Sequence, residues 1–207
     1  MNLYNVLIYL PEDLERNVKE TIAKISSDFS EKLIPHIGVF TVALNDNSDN
    51  DFVTKSKIIC NEISSFDIHF EKISLINDKY IFWEPDQKSK KKILDIHQLF
   101  FNEYQEIAAK NMLEYFDERK TELSKEEIEL IKKTGSKYKF DPHLTLMKST
   151  EKALEFFQIL NPRFSTEYKI KVEDLILTKE DNRDNIQTFP VIEKIKLADS
   201  KKEFLHS

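Results

Sequence analysis

Two short segments of the sequence each carry a Pro-His pair followed by alternating residue types. Residues 34–41 have the sequence IPHIGVFT, and residues 141–148 have the sequence DPHLTLMK. Imidazole titrates near neutral pH, so one histidine can accept a proton as a general base while a second, protonated one donates a proton as a general acid. Placed in one groove, His36 and His143 would therefore suit the cleavage of a phosphodiester bond.

The alternation within these segments predicts strands whose histidines face away from the core. Successive side chains of a strand point to opposite faces, which places Gly38 and Phe40 on the face of His36. The same rule places Thr145 on the face of His143. If the aliphatic residues between them cover the core, we expect both imidazoles to face a shared groove.

A threonine two residues after the second histidine supplies a third candidate catalytic group. The hydroxyl of Thr145 can donate a hydrogen bond to a non-bridging phosphate oxygen, where negative charge develops during the reaction. We therefore expect His36, His143 and Thr145 to be the catalytic residues. This chemistry requires no metal ion, and the sequence offers no convincing set of metal ligands, so we expect neither a metal nor a cofactor.

Three further residues beside the histidines are candidates for substrate binding. Gly38 widens the groove, Phe40 can stack on a base, and Lys148 can neutralise a substrate phosphate. Alternation predicts that Thr41 and Lys148 point away from the histidine faces, and that Met147 lies on one of them.

Other polar residues give weaker patterns. His69 shares the polar face of its strand with Asp67 and Glu71 and is interpreted as part of a solvated face. His97, inside a helical pattern, is interpreted as a packed or surface histidine. The lysine-rich run 132–139 leads into the second histidine segment. Two interpretations of this run stay open, a solvated face or one wall of a groove for an RNA backbone.

The elements that must position these residues follow from hydrophobic periodicity. An alternating or β-branched pattern predicts strands over residues 4–10, 34–44, 66–75, 80–83, 140–147, 168–178 and 191–197. Helical spacing predicts helices over residues 11–27, 52–64, 88–115, 125–132 and 151–160, the last ending at the pair Asn161–Pro162.

Two neighbouring pairs of predicted strands have the pattern of hairpins. They are residues 66–75 with 80–83, and residues 168–178 with 191–197. Hairpins among alternating helices and strands favour an α+β fold with a sheet of mixed direction over a doubly wound parallel sheet. The order of elements also indicates two related halves of the chain, with one histidine strand in each half.

The composition excludes several classes of function. A net charge of −6 makes a whole-surface polyanion binder improbable, although a local basic groove is compatible with it. Two glycines cannot form a G-x-G-x-x-G dinucleotide-binding loop, and the single Cys60 excludes an internal disulfide and a cysteine-based zinc cluster. No apolar run approaches the ~18 residues of a membrane span, so we expect a cytoplasmic protein without a membrane partner.

With these features the chain resembles the 2H phosphoesterase superfamily, which includes the 2′-5′ RNA ligase-like proteins and the cyclic phosphodiesterases of RNA ends. Members carry two H-x-[T/S]-x motifs, one on a strand in each of two lobes. The residues HLTL at 143–146 match this motif fully, whereas HIGV at 36–39 has Gly38 in place of the hydroxyl residue. The order of elements is compatible with the family over nearly the whole chain.

The resemblance implies a fold, an activity and a partner. The expected fold is α+β, one bilobal domain over residues 1–207, with two pseudo-symmetric lobes whose mixed or antiparallel sheets face a central cleft and whose helices lie outside. The expected activity is a metal-independent phosphodiesterase that acts on 2′,3′-cyclic phosphate or 2′-5′ linkages of RNA, with His36 and His143 as the acid–base pair and Thr145 on the phosphate. The expected partner is RNA or a small nucleotide, and the expected state is a monomer.

Two alternatives stay open at this point. The same chemistry would act on a small cyclic or oligomeric signalling nucleotide. The departure at Gly38 and the acidic net charge instead favour an RNA- or nucleotide-binding module with weakened chemistry. The sequence leaves open which histidine is the acid and which the base.

Overall fold

The computed structural model of the chain describes residues 1–180 and 189–199, and within them it has eight strands and six helices. The strands are β1 (Asn2–Tyr9), β2 (His36–Leu44), β3 (Phe66–Ile76), β4 (Tyr80–Pro85), β5 (Leu144–Lys148), β6 (Tyr168–Val172), β7 (Asp174–Lys179) and β8 (Val191–Lys196). The helices are α1 (Glu12–Ala23), α2 (Ser27–Lys32), α3 (Asp49–Cys60), α4 (Gln87–Glu118), α5 (Lys125–Thr134) and α6 (Ala153–Phe164).

All eight strands form one sheet in the order β6-β3-β4-β5-β2-β1-β7-β8. Each pairing between these strands is antiparallel, and a single isolated bridge between Ser64 and Ala198 is parallel. The predicted α+β class is confirmed, and the sheet is antiparallel rather than mixed.

The sheet divides into two equivalent halves at the contact between β2 and β5. The first lobe is β2-β1-β7-β8 and the second lobe is β5-β4-β3-β6, each counted outward from the contact. The strands β2 and β5 are joined by one residue pair, Ile37 with Leu144. The predicted division into two halves of the sequence is wrong, because the first lobe takes strands from both ends of the chain and the second lobe takes the strands between them.

The interleaving of the lobes results from a break within the predicted strand 168–178. Tyr168–Val172 pairs with β3 in the second lobe, while Asp174–Lys179 pairs with β1 and β8 in the first lobe. The burial patterns explain the break: β6 is an edge strand with alternating buried residues, whereas β7 is buried over four consecutive residues. A strand that has neighbours on both sides and is covered on both faces has a continuous run of apolar residues, because side chains on either face are buried.

Several boundaries differ from those predicted. Strand β5 begins at Leu144 rather than at residue 140, so His143 lies directly before it. The short helix α2 follows α1, and α3 starts at Asp49, inside a stretch with loop composition. Helix α6 continues through Pro162 to Phe164. Proline removes one backbone donor from a helix, but Leu160 and Phe164 on either side of it are buried, and their packing keeps the last turn helical.

Helix α4 lies against β2 and thereby places the first histidine strand. Its buried side chains recur at three- and four-residue spacing, Ile93, Ile96, Phe100 and Tyr104, which forms one apolar stripe. Phe40 of β2 packs on this stripe, with its ring 5.8 Å from that of Phe100 and 5.7 Å from that of Tyr104.

The predicted hairpin of residues 66–75 and 80–83 is confirmed as β3 and β4, joined at a tight turn. Asn77 and Asp78 in this turn have positive φ, 51° and 49°, a backbone region that asparagine and aspartate tolerate better than most residues. Among the helices of residues 1–180 and 189–199, none is both long and apolar enough to cross a bilayer.

Candidate active site

Both predicted catalytic histidines line one cavity between the two lobes. The cavity has a volume of about 490 Å³, and its walls include His36, Gly38, His143 and Thr145. Part of the lysine-rich segment after α5 forms another wall, with Tyr138 and Lys139 among its residues, so this segment lines the cavity. The structure therefore brings together five of the six predicted site residues around this cavity, Phe40 included, and leaves Lys148 outside it.

The two histidines are held by the same local bond. Nδ1 of His36 lies 2.7 Å from the backbone oxygen of Ile34, and Nδ1 of His143 lies 2.7 Å from that of Asp141. A carbonyl oxygen can only accept a hydrogen bond, so each Nδ1 carries the proton and donates it. Each Nε2 is therefore the nitrogen left to exchange protons with a ligand.

A β-bulge occurs at the same place after each histidine. On β2, Gly38 and Phe40 pair with consecutive residues of β1, which leaves Val39 without a paired residue. On β5, Thr145 and Met147 pair with consecutive residues of β4, and the skipped residue is Leu146. The extra residue is the third after the histidine in both strands, so the equivalence of the lobes extends to the bulges.

The bulges reverse the alternation for every later residue of each strand. Phe40 and Met147 therefore turn to the core, where they are 4% and 1% exposed, and the prediction that they share the histidine faces is wrong. Phe40 nevertheless lines the cavity, and its ring lies 5.8 Å from that of His97. Thr41 takes the exposed position and lines the cavity, contrary to prediction.

Lys148 lies on the histidine face but outside the cavity. It pairs with Tyr80, which is two residues from Phe82 on β4, and Phe82 pairs with Thr145. Directly paired residues share a face, so the predicted opposite facing of Lys148 is wrong. Its ammonium lies 5.7 Å from the centre of the Tyr80 ring, and it is absent from the cavity walls.

An aromatic ring and an ion-pair network surround the second histidine. The ring of Phe82 stacks on that of His143, with 3.7 Å between centroids and 18° between planes. Lys90 of α4 is 3.0 Å from a carboxylate oxygen of Glu84 and 3.1 Å from one of Asp141. Since the backbone of Asp141 also holds the imidazole of His143, this network fixes the segment that orients the histidine.

Burial lowers the pKa of both His36 and His143 below the ordinary value of 6.5, and the bonds from Nδ1 to backbone carbonyls oppose this effect. The charge on His143 lowers the pKa of His36 further. The carboxylates of Asp141 and Glu84 raise the pKa of His143, with Lys90 acting against them. The electrostatic surroundings thus favour the protonated form more at His143 than at His36.

The position of the missing hydroxyl is an open space. A Cβ atom placed on Gly38 would have no other atom within 4 Å. The backbone of Gly38 is outside the left-handed region, so neither sterics nor conformation requires glycine there. On the second strand, the equivalent space is occupied by the side chain of Thr145, which is partly exposed to the cavity.

A third histidine in the cavity was not foreseen from the sequence. His97 of α4 lines the cavity, and its Nδ1 is 2.8 Å from the backbone oxygen of Val39, the bulged residue. Its position beside the apolar stripe of α4 was the available signal, but helical spacing alone does not distinguish a packed histidine from one that faces a ligand. His69, by contrast, is exposed on β3 as predicted.

Metal ligands are not grouped in the part of the chain that the structure describes. Across residues 1–180 and 189–199, no three His, Cys, Asp or Glu side chains are placed to hold a metal ion together.

The geometry of the two lobes can be compared with that of known proteins. No family model and no curated protein sequence matches this chain. Among solved structures, TT0787 of Thermus thermophilus is similar over 97% of this chain and 100% of its own, with a TM-score of 0.64 and 14% identity. Escherichia coli LigT is similar over 95% of this chain and 98% of its own, with a TM-score of 0.58 and 9% identity.

The chain has the fold of LigT. A third structure, described as a phosphoesterase, is similar over 96% of this chain and 99% of its own, with a TM-score of 0.50 and 8% identity. The LigT fold is consistent with the 2H phosphoesterase superfamily that the sequence resembles. Crystals of E. coli LigT have been obtained with 3′-AMP and with phosphate.

Proposed function

We propose that this protein is a metal-independent phosphodiesterase of the 2H type that acts on a 2′,3′-cyclic phosphate or a 2′-5′ linkage of RNA. One observation carries the proposal: two equivalent histidines, each with Nδ1 tied to a backbone carbonyl and Nε2 free, line one cavity between the lobes of a LigT fold. The nucleotides bound by E. coli LigT support a nucleotide substrate.

The reaction on a cyclic phosphate needs two proton transfers. Water attacks phosphorus, and its proton passes to the free Nε2 of one histidine. The bond from phosphorus to a ribose oxygen breaks, and that oxygen takes a proton from the Nε2 of the other histidine. The product is a nucleotide monophosphate, and each transfer contributes roughly 10²–10⁴-fold to the rate.

We assign the acid to His143 and the base to His36. The carboxylates of Asp141 and Glu84 favour the protonated form of His143, and the charge on His143 favours the neutral form of His36. Thr145, partly exposed on the same cavity wall, donates its hydroxyl hydrogen bond to a non-bridging oxygen of the phosphate.

The experiment that tests the proposal measures turnover, in EDTA, of a short RNA ending in a 2′,3′-cyclic phosphate and of a 2′-5′-linked dinucleotide. Wild type is compared with His36→Ala and His143→Ala, and both variants should lose at least about 100-fold in kcat. His69→Ala is the matched control, because that histidine is exposed on β3 away from the cavity. Folded wild-type protein that turns over neither RNA would contradict the proposal.

The open space at Gly38 favours a second candidate, a nucleotide-binding module with weakened chemistry. Such a module would bind 3′-AMP without any turnover for the histidine variants to abolish. A small signalling nucleotide as substrate is a variant of the first proposal, and it predicts a weak dependence of KM on salt, because few phosphates are contacted. The single domain, the monomeric state and the cytoplasmic location stay predictions.

A further inference from the structure

His97 lines the cavity, and the hydrogen bond made by one of its ring nitrogens leaves the other nitrogen for a ligand. Its Nδ1 donates to the backbone oxygen of Val39, because a carbonyl can only accept. Burial lowers the pKa of His97, against the bond to Val39, and so favours the neutral ring, in which Nε2 carries a lone pair. Nε2 is consequently a hydrogen-bond acceptor.

The surroundings of this acceptor are aromatic. The ring of Phe140 stacks on that of His97 at 4.1 Å between centroids and 14° between planes, and the ring of Phe40 lies 5.8 Å away. Phe140, Phe40 and Tyr138 all line the cavity, and Tyr138 is 66% exposed. Aromatic rings beside a hydrogen-bond acceptor suit a flat heterocycle that offers an N–H group.

The neutral Nε2 of His97 is a poor partner for a phosphate. Phosphate oxygens accept hydrogen bonds at neutral pH, and a neutral Nε2 has none to donate. The catalytic pair and Thr145 supply donors elsewhere in the cavity. One cavity therefore combines a polar wall for phosphate with an aromatic wall for a base.

We propose that His97 is a specificity-determining residue whose Nε2 accepts a hydrogen bond from an N–H of the substrate's nucleobase. This inference rests on the proposed function and deepens it, because it assigns a base subsite beside the two catalytic histidines. It also gives the bulge at Val39 a role, since the carbonyl of the unpaired residue fixes the orientation of the His97 ring.

The test compares binding of three probes by calorimetry at pH 7.5: 3′-AMP, the 3′-monophosphate of purine riboside, and inorganic phosphate. Purine riboside lacks the exocyclic amine, which is the only N–H group of the adenine base. Wild type should bind 3′-AMP about five- to tenfold more tightly than the purine riboside analogue, as expected for one hydrogen bond. His97→Asn should bind the two equally, with unchanged affinity for phosphate.

His97→Asn is the informative variant because its amide can still donate to the carbonyl of Val39 but does not reach the position of Nε2. His97→Phe, which keeps the stack on Phe140, should give the same result, and thermal unfolding of both variants checks their folding. Equal binding of 3′-AMP and the analogue by wild type, or a loss of phosphate affinity in His97→Asn, would overturn the inference.

Turnover separates this inference from the proposed function. If His97→Asn raises KM and keeps kcat within about threefold, the residue acts in binding the base. A large fall in kcat with unchanged KM would instead make it catalytic and overturn the inference. If the proposed function is wrong and this inference is right, wild type discriminates between the two nucleotides but turns over no RNA.

Discussion

The two histidine strands have equivalent backbone geometry but different side chains. Each has a histidine tied through Nδ1 to the carbonyl two residues earlier, and each has a bulge three residues after the histidine. At the position between them, however, β2 has Gly38 and β5 has Thr145. On the adjacent strand, Leu7 pairs with Gly38 and Phe82 pairs with Thr145.

This difference indicates that equivalent backbones have been given unequal roles. The second strand has a hydroxyl, a stacked aromatic ring and nearby carboxylates, which together suit a protonated histidine next to a phosphate. The first strand has open space in place of the hydroxyl, and burial together with the charge of His143 lowers the pKa of its histidine. In the proposed mechanism, the pseudo-symmetry of the fold therefore supplies the two imidazoles, and the neighbouring side chains determine which one is the acid.

The largest effect of breaking this asymmetry is expected at Thr145. Thr145→Val removes the hydroxyl but keeps the branched shape of a residue that favours strands. A lost hydrogen bond to a charged group costs about 1.5–3 kcal/mol, or roughly 10- to 150-fold in kcat/KM. Steady-state kinetics on the cyclic phosphate RNA measure this loss. Thr145→Ser keeps the hydroxyl and should retain most of the activity, and equal activity of the valine and wild-type proteins would argue against a contact with phosphate.

A smaller effect, in the opposite direction, is expected where the first strand lacks its hydroxyl. Gly38→Thr places its Cβ atom where no other atom lies within 4 Å. We therefore expect the variant to fold and to gain up to about tenfold in kcat/KM through one new hydrogen bond to phosphate.

The matched control for this gain is Gly38→Val, which fills the same space without a hydroxyl. The valine variant should show no gain over wild type in the same assay. If both variants lose activity, part of the substrate occupies the space at Gly38. The difference between the two strands then makes room for a larger substrate.

The smallest effect is expected in the pH dependence of kcat/KM. With rising pH, activity increases as the base loses its proton and decreases as the acid loses its proton. The pKa of each histidine is lowered below 6.5, so the maximum of kcat/KM should lie below pH 6.5. The ring of Phe82 stabilises the imidazolium of His143 by about 0.5–1 kcal/mol. Phe82→Leu should therefore move the descending limb to lower pH by about half a pH unit.

Phe82→Tyr is the control for the pH profile, because it keeps the ring that stacks on His143. The tyrosine variant should leave the descending limb unchanged. A shift of the ascending limb in Phe82→Leu would reverse the assignment, making His143 the base and His36 the acid.

Local sequence determines the chemistry of each strand up to the second residue after its histidine. Proline before the histidine and aliphatic residues at alternate positions are sufficient to predict that His36 and Gly38, or His143 and Thr145, share a face. The α+β class and the hairpin of β3 and β4 can also be predicted from the sequence, because hydrophobic periodicity and turn residues involve only a few neighbouring positions.

Tertiary structure decided which residues beyond these positions face the cavity. The alternation of residue types along a strand cannot show where a bulge inserts an extra residue. The bulges at Val39 and Leu146 depend on the register with β1 and β4, and they alone place Phe40 in the core and Thr41 in the cavity. The break between β6 and β7 likewise depends on which neighbours cover each strand. His97 lines the cavity and bonds the carbonyl of Val39, a residue far away in sequence, and no local pattern encodes this contact.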